Sequence, residues 1–372
     1  MLWTILPVML VLIIAGVLLY IVVAFRRFRF IKKLKSRSRF LSAALSALIP
    51  LCILLSFLLW INLTTAAVVL LHLFLFWVIS DLLFAVVKKI RKKEGKYYYA
   101  GVMALTLTAV LLIWGWVNFH QVRRTSYELN TDKSLDAPCR VVEIADSHLG
   151  VTMSGEAFAK ELARINQENA DVLVIVGDFV DDDTPKEDML TACEALGNVR
   201  TKYGIYFVYG NHDKGYYQYR DFTSQELRNA LAQNGVTILE DETVLLENGL
   251  TIIGRQDRTA SGRASAPSLT ADLDRNRYLL MLDHQPNDYS QEAASEADLV
   301  LSGHTHGGHI FPVGQIGIWM GANDKTYGYE MRGQTGFIVT SGISGWAVPI
   351  KTGTFSEYVV IDITPLKANA MN

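Results

Sequence analysis

The sequence predicts an α/β domain carried behind four transmembrane helices. Three observations predict it. Four long apolar runs crowd the first third of the 372 residues. Short apolar runs alternate with helical periodicity through the rest. Lysine and arginine gather in two short loops between the apolar runs, although the net charge is only −2.

The apolar runs cover about residues 2–25, 40–61, 65–87 and 97–119. Each approaches the ~20 residues a helix needs to cross ~30 Å of hydrocarbon. None shows the polar stripe of a soluble helix. The first run lacks the basic start and small-residue cleavage site of a signal peptide. One basic loop holds Arg26, Arg27, Arg29, Lys32, Lys33, Lys35, Arg37 and Arg39. The other holds Lys88, Lys89, Arg91, Lys92, Lys93 and Lys96, while the loop near Asn62 carries no charge. Short basic loops stay in the cytoplasm, so everything after Phe119 is expected outside it. This charge distribution excludes a nucleic-acid binder. Asp81, beside Lys88 and Lys89, is expected as a partly hydrated side chain at the end of the third span. Cys52, Cys139 and Cys193 have no disulfide or CxxC spacing and read as ordinary thiols.

Residues 121–137 are polar and non-periodic, and read as a linker between a membrane module (1–120) and the domain at 138–372. Strands are expected at 141–145, 172–176, 205–209, 236–239, 244–246, 251–254, 278–282 and 299–301, with more in 336–363. Helices are expected at 155–169, 188–199 and 224–234. Glu247-Asn248-Gly249 marks a hairpin turn, and the Ser/Ala/Gly-rich stretch 260–268 reads as a mobile surface loop.

Five clusters of metal-type ligands follow apolar runs: Asp146-x-His148, Gly177-Asp178-x-x-Asp181, Gly210-Asn211-His212-Asp213, His284, and Gly303-His304-x-His306. Alone, each is an ordinary core contact or turn. Ligands bind beyond the carboxyl ends of strands in open α/β sheets, so five such ends deliver these side chains to one crevice. Five of the eight histidines lie in the clusters. Carboxylate, imidazole and amide donors suit hard-to-borderline divalent ions: Mn, Fe, Zn or Mg, with Mn the first choice. No GxSxG elbow or Walker loop offers a covalent nucleophile or a nucleotide cradle.

The series DxH, GDxxD, GNHD, His before Gln-Pro, and GHTHGG resembles the calcineurin-like metallophosphoesterase superfamily, closest to its bacterial membrane-associated branch. The resemblance covers about residues 139–363 and implies a four-layer α/β/β/α sandwich of two mixed sheets flanked by helices. It further implies two divalent ions, the first held by Asp146, His148, Asp178 and His306. Asp178 bridges to the second, completed by Asn211, His284 and His304. His212 would face the phosphate and protonate the leaving oxygen, with Asp213 orienting its ring. Gly303, Gly307 and Gly308 would let the backbone approach the ions. The branch often carries an arginine in a late glycine-rich loop; here Ser341-Gly342-Ile343-Ser344-Gly345 is followed by Lys351. Lys351 reads either as the replacement contact to substrate or as a solvated surface lysine, and His309 past the last motif reads as structural. The implied activity is metal-hydroxide attack on a phosphomonoester or phosphodiester. The short linker after the fourth run, with the expected orientation, points to an envelope, cell-wall or lipid-linked substrate outside the cytoplasm. The rival readings are a metal-binding sensor or regulatory membrane protein without hydrolase activity, and a transporter. The spans lack the paired intramembrane charges a transporter uses.

Overall fold

The computed structural model describes residues 2–93, 95, 97–216 and 219–366, with side chains from residue 12 onward. Lys96, counted in the second basic loop, lies outside the described residues. The chain forms two compact units that divide between Trp114 and Gly115.

The first unit contains α1 (Leu2–Phe25), α2 (Arg29–Lys35), α3 (Arg39–Trp60), α4 (Leu63–Arg91) and most of α5 (Tyr99–His120). Among the described residues, α3, α4 and α5 are long and apolar enough to cross a membrane. Three of the four expected spans are seen among the described residues, and the first expected span falls partly outside the fully described ones. The fully described stretch of α1, Leu12–Phe25, is too short for ~30 Å of hydrocarbon. Ile21, Phe25, Leu73, Trp77 and Ala104 pack the helices together.

The second unit is built on twelve strands: β1 (Arg123–Thr131), β2 (Cys139–Ile144), β3 (Val172–Val176), β4 (Ile205–Val208), β5 (Val236–Ile238), β6 (Glu242–Leu245), β7 (Thr251–Gly254), β8 (Leu279–Leu282), β9 (Leu299–Ser302), β10 (Gly328–Arg332), β11 (Thr335–Val339) and β12 (Glu357–Pro365). One sheet runs β1-β12-β2-β3-β4-β5 and the other β10-β11-β9-β8-β7-β6. Both are mixed: β12 opposes β2, and β6 and β10 oppose their neighbours, while the remaining pairs are parallel.

Continuous apolar strands bury both faces. Val172, Val174 and Val176 face Leu280, Leu282, Leu299 and Leu301 between the sheets. Leu173 and Ile175 point the other way, onto α6 (Gly155–Ile165), α7 (Lys186–Gly197) and α8 (Ser224–Gln233) through Phe158, Leu162, Leu196 and Leu231. Leu279, Met281 and Val300 form a third core on the far side of the second sheet with Tyr289 and Phe337. The period of two in each strand therefore generates the four layers.

Two readings of loops are corrected. The stretch read as a linker contains β1, which pairs with β12 over nine residues. Only Thr125, Tyr127 and Leu129 are half-buried along its alternating pattern, up to buried Thr131, so hydrophobicity does not mark it. The stretch 260–268 is pinned rather than loose. Ala264 donates to Asp241 (2.8 Å) and its carbonyl accepts from Arg255 (3.2 Å).

Glu143 on β2 is fully buried, and neither carboxylate oxygen finds a hydrogen bond. Burial, with Glu357 and Asp146 nearby, holds its pKa well above the usual carboxylate range. An acid whose folded pKa is raised costs nothing below its unfolded value and destabilises progressively as pH climbs past it. Glu143→Gln removes that proton. The variant is expected to gain stability relative to the parent as pH rises from about 4.5 toward 8, at a slope approaching ~1.4 kcal/mol per pH unit. Thermal unfolding across that range checks it; a pH-independent difference would show that Glu143 is not the titrating group.

Candidate metal centre

Five strand ends converge on one point. Asp146 and His148 follow β2, Asp178 follows β3, Asn211, His212 and Asp213 follow β4, His284 follows β8, and His304 and His306 follow β9. Three groups of potential ligands form there: Asp146, His148 and His306; His148, Asp178 and His212; Asp178, His284 and His304. Within each group the donor atoms lie within 4.8 Å of one another.

The backbone bends sharply to deliver them. Asp146, His148, Asp178, His304 and His306 all have positive φ, between 40° and 71°. Non-glycine residues rarely occupy this region, and such strain clusters at functional sites. Glycine is required where chain meets chain. A Cβ on Gly177 (φ +76°) would sit 2.6 Å from His284 Nδ1, and one on Gly210 would collide with Asp178 Oδ1.

Asp178 lies at the middle of the constellation. Its Oδ2 is 3.6 Å from His148 Nε2 and 3.1 Å from His284 Nε2, and Oδ1 accepts from the His212 amide at 2.9 Å. Burial opposes its charge, but His284 and His148 outweigh that and keep it well below the usual carboxylate range. Asp146 accepts from the His304 amide at 2.9 and 3.1 Å.

The outward-facing ring atoms are fixed and the inward ones are left bare. His284 Nδ1 meets the Val176 carbonyl at 2.8 Å, and His148 Nδ1 meets Asp181 at 3.0 Å. His148 Nε2, His284 Nε2, His306 Nδ1 and Asn211 Oδ1 are buried without a hydrogen-bond partner. Buried polar atoms are rarely orphaned, and four at these converging strand ends fit a divalent-ion site. Asn211 is held in this orientation because its Nδ2 donates to Tyr216 Oη at 2.8 Å. Burial also pushes His304 down to about 4 and His306 well below the imidazole range, so both rings stay neutral, as ligands must be.

The order of side chains around His212 departs from expectation. Asp213 does not orient the ring. It is fully buried, and its carboxylate accepts from the amides of Asp178, Phe179, Val180 and Gly210 at 2.7–3.0 Å. It therefore holds the Asp178 turn. Asp181 takes the expected place, 3.2 Å from His212 Nδ1. The GDxxD spacing contains this residue. Burial opposes charge on His212, but the Asp181 bond and the Asp178 charge prevail and raise its pKa above the ordinary imidazole value. Because Asp181 anchors two rings at once, Asp181→Asn is expected to weaken metal binding about 10- to 100-fold. Calorimetric titration of the metal-stripped protein checks it, and unchanged affinity would reduce Asp181 to a turn residue.

One further residue differs from its sequence reading. Lys351 neither reaches the centre nor meets solvent. It is fully buried, donates to the Ser341 and Gly342 carbonyls at 2.6 and 3.3 Å, and is pushed down to about 7 by burial. Gly342 packs on Asp146, so Lys351 braces the loop behind Asp146. His309 meets the Val348 carbonyl at 3.1 Å, a structural contact. At the mouth, the exposed rings of Tyr216 and Trp346 lie 5.2 and 5.9 Å from His212.

Residues 139–308 match the calcineurin-like phosphoesterase family. A Danio rerio protein named transmembrane protein with metallophosphoesterase domain is 30% identical over 276 residues, covering 69% of this chain and 61% of that one. An uncharacterized metallophosphoesterase of Campylobacter jejuni is 29% identical, over 70% of this chain and 69% of that one. One from Helicobacter pylori is 30% identical, over 62% of this chain and 61% of that one. The chain thus spans less than two thirds of the length of the fish and Helicobacter relatives.

Proposed function

From the premise that this chain carries a calcineurin-like metallophosphoesterase domain, we propose that it is a membrane-anchored hydrolase of phosphomonoesters or phosphodiesters with a two-ion centre. The four orphaned ligand-type atoms at the converging strand ends carry this reading. Asp146, His148, Asp178 and His306 would hold one ion, and Asp178, Asn211, His284 and His304 the other. When bound, two such ions supply charge neutralisation and a water of lowered pKa. Manganese is the first choice, because every donor is oxygen or imidazole nitrogen.

The protein's own part is to position and to transfer a proton. His212 keeps one ring nitrogen on Asp181 and holds its proton above the ordinary imidazole range. The other nitrogen is left to donate to a leaving oxygen. Buried Asp213 keeps the Asp178 turn rigid, so neither residue must reorganise during the reaction.

The substrate we favour is an envelope, cell-wall or lipid-linked phosphoester met outside the cytoplasm. That orientation follows from the two basic loops and needs only α3, α4 and α5 as spans. A reporter fused after Asn372 tests it.

The activity is tested with the full chain in detergent, stripped of metal and then supplied with Mn. Hydrolysis of p-nitrophenyl phosphate or bis-p-nitrophenyl phosphate that appears only with metal supports the proposal. A folded, metal-loaded protein inactive on both esters and on phospholipid would leave a sensor as the better reading.

A further inference from the structure

A cavity of about 710 Å³ opens where α1 and α4 end and α5 begins, within the ~300–1,000 Å³ range of ligand sites. Its floor is Asp81, which accepts hydrogen bonds from Tyr20 Oη (2.7 Å) and Tyr98 Oη (2.6 Å) and pairs with Arg27 at 2.5 Å. Trp77 Nε1 donates to the same Tyr98 oxygen at 2.8 Å, tying the floor to the helix core. Asp81 is the one acidic side chain lining the cavity among the described residues, and this network neutralises it. Among the described residues, Arg91 and Lys93 add positive charge to the rim.

The walls are aromatic. Phe84 and Tyr99 stack with centroids 6.4 Å apart, and Arg29 lies 5.5 Å over the Tyr97 ring. Just beyond, Leu82, Val86 and Val102 stand more than half exposed on α4 and α5. A soluble anion would gain nothing from that apolar rim, whereas a molecule with a charged head and hydrocarbon tails would meet both surfaces. Basic pockets at the ends of membrane helices suit phosphodiester headgroups in this way.

We propose that this cavity binds the anionic phosphodiester headgroup of a membrane lipid. The positive-inside rule accounts for the number of charges in these loops. It does not account for a cavity that neutralises its own acid and lines the space beside Arg91 and Lys93 with aromatic rings.

The test uses the full chain in detergent, with phosphatidylglycerol and phosphatidylcholine as competing lipids and retention read by native mass spectrometry. The parent is expected to retain phosphatidylglycerol. Arg91→Glu with Lys93→Glu should cut retention about tenfold or more, as two reversed charges at a headgroup predict. A control changes Lys32, Lys33 and Lys35 of α2, which lie outside the cavity, to glutamine and should alter retention less than twofold or threefold. Equal losses in both variants would mean diffuse attraction and overturn the proposal. So would glycerophosphate, the headgroup without tails, binding as tightly as the lipid. Circular dichroism melting separates lost binding from lost folding. If the double variant unfolds, Lys93→Glu alone, on the exposed loop, repeats the measurement. The result is independent of hydrolase activity.

Discussion

Asp178→Asn is expected to lower metal-dependent hydrolysis by about 10³-fold or more, equivalent to ~4 kcal/mol of transition-state stabilisation. The side chain stands between the His148 and His284 rings, and its backbone is fixed by Asp213. Asparagine keeps the shape and suits the left-handed backbone at φ 50°. The lost charge is therefore the dominant change. One shared carboxylate offsets the repulsion of two cations held close together, and a neutral amide cannot. The variant should fold, melt near the parent without metal, and lose the rise in Tm that metal gives the parent. Its metal content, measured after dialysis, should fall from two ions per chain to one or none. Activity within tenfold of the parent at full metal content would rule out the bridging role.

His212→Ala makes the opposite prediction for metal. Hydrolysis should drop about 10²- to 10⁴-fold, the usual worth of a positioned acid, while metal content stays at the parent's value. His212 is near enough to His148 and Asp178 to be a ligand itself, so the metal measurement decides between the two roles. Loss of an ion would make it a ligand. The leaving group supplies a second readout. An aryl phosphate leaves as a weakly basic phenolate and needs little protonation, whereas an alkyl phosphate leaves as a strongly basic alkoxide. A larger loss on alkyl esters identifies the general acid; equal losses on both would assign His212 to binding.

The convergence of the candidate ligands was legible because each comes from a short motif at a strand end. A strand of five residues and the turn after it are local features. Partners were not legible, because they depend on contacts distant in sequence. Asp213 directly follows His212, yet successive side chains diverge, and it meets amides some 33 to 35 residues away. Asp181 meets His212 across 31 residues. Lys351 read as a substrate contact or a surface lysine; the carbonyls that hold it instead lie 9 and 10 residues earlier in the chain. β1 is polar because it lies at a sheet edge, and its partner β12 lies at the other end of the domain's sequence.

The left-handed backbone at the ligand positions also has a consequence for how the centre tolerates change. Asparagine and aspartate enter that conformation at low cost, and longer or branched side chains do not. At Asp146 and Asp178 the substitution that most alters the chemistry, to asparagine, thus costs the backbone least. Glutamate, which preserves the charge, must extend its reach and also bear the strained φ. A similarity scale that ranks Asp→Glu as the mildest exchange would invert the order here. The centre is guarded against drift in its charge by ligand chemistry, and against drift in its geometry by the shape of the chain.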